Sequence, residues 1–224
     1  MSVIGEVHAA SVQRRKPETG TAAPLVPERP TLKNLKEAAR GCRACPLWKT
    51  GTQTVFGEGA PGAAVVFVGE QPGNDEDLAG KPFVGPAGKL LDRALVEAGI
   101  PRDEVYVTNT VKHFKWEPKG KRRIHKKPGS REIAACRPWL DAELAVLKPK
   151  VIVCLGATAA QALLGKDFRV SQQRGQLVKS DLAAKVTATV HPSSILRAPD
   201  DETRRTEMAR FIKDLRLVAK AMRG

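Results

Sequence analysis

An α/β fold built on a four-stranded, mostly parallel sheet is what this sequence predicts. Two observations carry that expectation. Short apolar runs stand at Ala63–Val68, Val105–Asn109, Val151–Leu155 and Val186–Val190, and the continuous ones read as strands covered on both faces. Helical patterns separate the runs, and alternation of strand and helix is the mark of a parallel layered sheet.

The elements follow in order. Residues 1–30 are interrupted by Pro17, Pro24, Pro27 and Pro30 and carry Arg14-Arg15-Lys16, so a flexible arm is expected there, with the domain spanning 31–224. Thr31 is a suitable N-cap for a helix over Leu32–Arg40, which Gly41 ends. After the first strand comes the turn-rich Gly69-Glu70-Gln71-Pro72-Gly73. Leu90, Leu91, Ala94, Leu95 and Ala98 mark a helix from Pro86 closed by Gly99. The second strand ends at Asn109. Ser130 starts a helix to Leu147, which Pro138 should break or bend. The third strand leads through Gly156 into a helix over Ala157–Leu164. Val170–Val178 reads as a hairpin about Arg174-Gly175. The fourth strand ends in His191-Pro192-Ser193-Ser194, and a basic amphipathic helix over Thr203–Met222 closes the chain.

With 224 residues the chain can bury a sizeable core. Its formal net charge of +14 favours a nucleic acid over an anionic membrane. Aromatic residues make up only 4%, which argues against broad single-strand stacking platforms. No secretory or membrane-spanning run is present, so a cytoplasmic, nucleoid-associated protein is expected, with no membrane partner and as a monomer. In that compartment Cys42-x-x-Cys45 points to metal or redox chemistry rather than a disulfide.

The strongest local signal is Lys119–Gly129. Six cations surround His125 there, and Gly120 and Pro128-Gly129 mark it as a loop. Such a loop will lie on polyanion. Parallel sheets bind ligands beyond the carboxyl ends of their strands. Three polar clusters fall at such ends here: Gly69–Gly73, Asn109–His113 and His191–Ser194. The basic loop continues from the second.

Gly-Glu-x-Pro-Gly at 69–73, Pro82-Phe83-Val84-Gly85, Val-x-Asn-x-Val-Lys at 107–112 and His-Pro-Ser-x-x-x-Arg at 191–197 occur in that order. Together they resemble the uracil-DNA glycosylase superfamily over about Leu35–Arg197, closest to its iron–sulfur family 4. The Lys-Arg-Arg-Ile-His loop resembles the UdgX type, which excises uracil and then traps its DNA product covalently. The resemblance implies a three-layer α/β/α fold. It also implies roles. Phe83 would stack on an extruded uracil, Asn109 would pair with its edge, and Gln71 would help hold base or water. His191 would donate to uracil O2 as negative charge develops there. Glu70 would stabilise the sugar cation or position water. His125 would attack C1′ once uracil has left. Lys121, Arg122, Arg123, Lys126 and Arg197 would contact the DNA backbone.

The resemblance also implies a [4Fe–4S] cluster. Cys42, Cys45 and Cys136 are its expected ligands. The family's fourth cysteine follows Val-Lys, a position that is His113 here, so His113 is the expected fourth ligand. Simple counting would add Cys154 instead, but Cys154 lies in the Val-Ile-Val-Cys-Leu run, where cysteine behaves as a small hydrophobe. From spacing alone, three cysteines and one histidine suit structural zinc equally well. The expected partner is uracil-containing DNA, single-stranded by preference, because extrusion costs least from an unpaired strand. Two other readings stand beside this one. One is an ordinary multiple-turnover glycosylase with a cationic grip; the other is a metal-stabilised DNA-binding module without chemistry.

Overall fold

A computed structural model describes residues 20–223. The domain begins before residue 31. Gly20 and Ala22 donate backbone N–H groups to Ala44 and Ala135, Ala22 is fully buried, and a 3-10 turn covers Ala23–Leu25. Of the expected arm, residues 20–30 therefore lie against the domain, and 1–19 fall outside the described residues. Helix α1 spans Leu32–Ala39, and Thr31 and Asn34 cap it reciprocally. A 3-10 turn at Pro46–Lys49 follows.

Then come β1 (Glu58–Gly59), β2 (Val65–Gly69), α2 (Asn74–Ala79), α3 (Pro86–Ala98), a 3-10 turn at Arg102–Glu104 and β3 (Val105–Asn109). Next are β4 (Trp116–Lys119), β5 (Arg122–His125), α4 (Ser130–Leu147), β6 (Val151–Leu155) and α5 (Ala157–Leu164). The chain ends with α6 (Val170–Gln173), β7 (Val178–Ser180), β8 (Ala183–Thr189), α7 (Pro192–Leu196) and α8 (Asp201–Arg223).

The main sheet has six strands in the order β1-β3-β2-β6-β8-β7, not four. The four expected strands form its parallel centre. β1 and β7 add antiparallel edges. Both edges are short and partly exposed, so neither carries an apolar run. The expected hairpin about Arg174 is displaced. Val170–Gln173 is helical, and the reversal falls between Ser180 and Ala183. Helix α4 runs unbroken through Pro138.

Side-chain alternation divides the central strands between two cores. Val65, Phe67, Val105, Val107, Val151 and Val153 pack with α3 and α8. Val66, Val68, Tyr106, Ile152, Cys154, Val186 and Ala188 pack with α4 and α5. The result is three layers, α/β/α. Each large apolar side chain so buried contributes about 1.5–3 kcal/mol. A third cluster joins α1, the cysteine segment and α4 through Leu35, Leu47, Phe56, Val111 and Trp139.

The basic stretch is not a loop but a two-stranded antiparallel hairpin, β4–β5, with Lys119 opposite Arg122. Its two-residue turn is Gly120-Lys121, and Gly120 takes φ +58°. A primed turn needs that conformation, and glycine adopts it without a Cβ clash.

Candidate active site at the strand ends

The exits of β2 and β3 stay paired beyond the strands. Thr110 and Val111 donate backbone N–H groups to the Gly69 and Glu70 carbonyls at 2.9 and 3.0 Å. This pairing holds Glu70 and Asn109 side by side at the mouth of a cavity of about 650 Å³. Its walls include Glu70, Gln71, Phe83, Asn109, His125, His191 and Arg197. The three polar clusters at strand ends thus converge, and the hairpin brings His125 to them.

Period two on β5 explains two of the placements. Arg123 and His125 share the face turned toward the domain. His125 reaches the cavity with Nε2 3.3 Å from Glu70 Oε1. Glu70 Oε2 accepts a short hydrogen bond from Thr158, in the first turn of α5. Arg123 is held inward. It donates to Asp77 Oδ2 at 2.6 Å and to Asn74 Oδ1 at 2.8 Å. Its guanidinium lies over the Phe114 and Trp116 rings. Arg123 therefore anchors the hairpin on α2 rather than standing free for DNA, which corrects its expected place. Lys121 and Arg122 are exposed. Lys126 is half-exposed and pairs with Glu117 at 2.8 Å.

Gln71 also serves the hairpin. Its amide nitrogen donates to the Lys115 and Lys126 carbonyls at 3.1 and 3.0 Å, and its oxygen accepts from Lys115 N–H at 3.1 Å. These bonds occupy both amide ends, so Gln71 lines the cavity but spends its polar groups on the base of the hairpin.

His191 caps α7. Its Nδ1 accepts from Ser193 N–H at 3.1 Å and lies 2.8 Å from Ser193 Oγ. A backbone donor at Nδ1 leaves the ring proton on Nε2. Burial first, then the nearby Arg197 and His125, push the His191 pKa down to about 4. The ring is neutral at physiological pH, and its Nε2–H is a donor. Phe83 stacks near it, with ring centroids 6.2 Å apart and planes 27° from parallel. Phe83 takes φ +56°, uncommon for a side-chain-bearing residue.

A pH consequence follows. In the unfolded chain His191 titrates near its ordinary 6.5, and in the folded chain near 4. Between these values the unfolded state binds the extra proton, so stability is retained above pH 6.5 and lost as pH falls toward 4. The loss from this group reaches about 3 kcal/mol. Chemical denaturation across that window should show it, and His191→Gln should flatten the dependence.

The sequence reading missed Glu76 and Thr158. Glu76 accepts from Gly73 N–H at 3.0 Å and Gly85 N–H at 2.7 Å, tying the Phe83 loop to the Glu70 loop. The signal that could have found it is a glutamate three positions after Gly73, as in a capping box. Thr158 carries no such signal. Lys127 also lines the cavity.

Cys42, Cys45 and Cys136 belong to one packed cluster, whereas Cys154 lies in another, across α4. Lys112 N–H points to Cys136 Sγ and Trp139 Nε1–H to Cys42 Sγ, each at 3.3 Å. Burial pushes the Cys136 thiol up to about 12. His113, which follows Lys112, is also buried, but its Nε2 lies 3.2 Å from Thr54 Oγ1. Thr54 gives its own proton to the Ala39 carbonyl, so this arrangement has Nε2 protonated. Among the described residues no three Cys, His, Asp or Glu side chains are arranged about a common metal position. The donors nevertheless fit a thiophilic metal centre in kind: three thiols in one packed cluster, two of them already receiving N–H groups.

A parallel sheet with its pocket at the carboxyl ends, lined by a carboxylate, an amide, an aromatic ring and a neutral histidine, defines a polar cleft beside a cationic hairpin. The family model of the uracil DNA glycosylase superfamily matches residues 56–216, and the chain belongs to that superfamily. It is similar to the type-4 uracil-DNA glycosylase of Thermotoga maritima, 42% identical over 172 residues, covering 76% of this chain and 86% of that one. The type-4 enzyme of Sulfurisphaera tokodaii is 36% identical over 198 residues, covering 85% and 87%. A type-5 uracil-DNA glycosylase of Thermus thermophilus is 34% identical over 140 residues, covering 56% and 59%.

Proposed function

We propose that this protein excises uracil from DNA, preferably from an unpaired strand, and is then itself captured on the abasic sugar through His125. Family membership and the type-4 relatives support the excision. The single observation that supports capture is His125 Nε2 lying 3.3 Å from Glu70 over the same cavity as His191 and Asn109.

The residues divide the work. Phe83 stacks on the extruded base and the Asn109 amide pairs with its edge. The C1′–N1 bond breaks with its electron pair going to uracil. The neutral His191 donates toward uracil O2, where that charge collects. The Glu70 carboxylate, held by Thr158, stabilises the sugar cation. In the resting contact the His125 Nε2 proton faces Glu70; exchange through solvent to the Nδ1 tautomer gives Nε2 a free pair. That pair forms the new C1′–N bond, and the imidazolium then loses its Nδ1 proton to solvent as uracil is protonated. The test is denaturing electrophoresis with a uracil-containing oligonucleotide. A slower band that requires uracil is expected; multiple uracils released per protein without a band would instead favour an ordinary turnover enzyme.

Gly69 offers a finer check. A Cβ there would stand 2.4 Å from Asn109 Oδ1 and 2.9 Å from Phe83 Cζ. Gly69→Ala should therefore displace both base-holding groups and slow excision roughly 100-fold. Single-turnover uracil release measures this.

A [4Fe–4S] cluster held by Cys42, Cys45, Cys136 and His113 is part of the proposal and rests on the family resemblance. His113 would exchange Thr54 for iron. The cluster would supply structural cross-linking of α1, the cysteine segment and α4. Cys136→Ser is expected to abolish iron binding and visible absorbance, while Cys154→Ser keeps both. Retention by Cys136→Ser would remove it from the ligand set.

A further inference from the structure

Of the chain's three Trp, one Tyr and six Phe, Trp48 is the one whose residue is exposed among the described residues, at 36%. Phe83 and Trp116 are half-buried, and the other seven are buried. Trp48 is also clothed in charge. The Arg43 guanidinium lies 4.6 Å from its ring centroid and the Lys49 ammonium 5.9 Å from it. Neither cation forms an ion pair with a carboxylate among the described residues. The patch is continuous with the hairpin. Trp116 Nε1–H donates to the Thr50 carbonyl at 2.9 Å, and Arg123 reaches Thr52 Oγ1 at 3.2 Å.

We propose that Trp48, Arg43 and Lys49 form a second docking surface for single-stranded DNA, on which a base flanking the extruded nucleotide stacks. Aromatic and cationic groups interleaved on a surface suit an unpaired strand. Every base offers a π face to the ring or guanidinium, and its phosphate meets a cation. Duplex bases, stacked on their own neighbours, have no free face to give. A net charge of +14 favours the same polyanion as a partner. The surface thus extends the strand's path from the cavity across the hairpin to the cysteine segment.

The inference rests on the DNA reading above, and the experiment separates the two. Fluorescence anisotropy of labelled all-thymine single strands of increasing length is measured with the full chain. Wild type should gain affinity once the strand reaches the patch, and Trp48→Ala should lose that gain, by roughly 5- to 150-fold. Trp48→Phe should keep most of it, and both variants should match wild type on the shortest strands. Lys49→Gln, independent of any effect of Trp48 on folding, should lower the slope of log affinity against log salt by about 0.7. Equal length series for wild type and Trp48→Ala, or an unchanged slope for Lys49→Gln, would overturn the inference and leave the patch to a protein partner. Uracil release by wild type is followed in parallel. Its absence sinks the glycosylase reading alone, whereas its presence with an unchanged length series sinks only this one.

Discussion

His125→Ser is expected to abolish the covalent DNA band entirely and to release free abasic DNA with repeated turnover. The hydroxyl is a weak nucleophile on a side chain too short to reach as far into the cavity as the imidazole, and it vacates the space beside Glu70. Water can then enter next to a carboxylate that remains held by Thr158. The rest of the cavity lining is untouched, because Phe83, Asn109 and His191 come from other elements. The hairpin also stays in place, since Gln71 and Arg123 hold it independently of His125. Uracil release per unit time should thus survive while its stoichiometry changes from one per protein to many. A band that persists in His125→Ser would show that another group makes the bond.

The largest expected effect on stability lies at Glu143. Its side chain is fully buried on α4 and pairs with the Lys112 ammonium, itself 1% exposed, at 2.5 Å. It also accepts from Tyr106 Oη at 2.8 Å, Thr108 Oγ1 at 2.9 Å and Gly57 N–H at 3.1 Å. Burial and this carboxylate hold the Tyr106 phenol far above its ordinary range, so it remains a donor. Glu143→Ala leaves a buried ammonium without its counter-charge, which costs about 3–5 kcal/mol. For a domain of this size the melting temperature should fall by roughly 6–20 °C. Excision should suffer as well, because Lys112 Nζ also donates to the Asn109 carbonyl at 2.8 Å and steadies the end of β3. A melting temperature within a degree or two of wild type would contradict this account of the network.

The sequence showed the parallel centre of the sheet because strands buried on both faces are apolar at every position. It hid β1 and β7, whose outward residues have no core to face. The hairpin escaped for a different reason. Arg122-Arg123-Ile124-His125 carries a cation on each face and a single apolar residue, so no alternation marks it, and Pro118 argues against a strand except on an edge, where it sits. Once the hairpin exists, period two sends Arg123 inward with His125, and a residue expected on DNA becomes an anchor. Arg174 misled in a similar way. Arg174-Gly175 reads as a turn, but the guanidinium is committed to Glu207 and Asp214 of α8, and the chain reverses later. Glu70, Asn109 and His191 were legible because each stands at the end of a parallel strand, whereas Phe83 and Arg197 came from the family resemblance. Glu76 and Glu143 were not, because a buried carboxylate has the same letter as a solvated one until its donors are known.

The most direct test of covalent capture is the intact mass of the product formed by wild-type protein and a uracil-containing oligonucleotide, followed by peptide mapping. The expected mass is that of protein plus oligonucleotide less one uracil, with the nucleotide attached to His125. Unmodified protein beside abasic DNA, or attachment at any other residue, would contradict it.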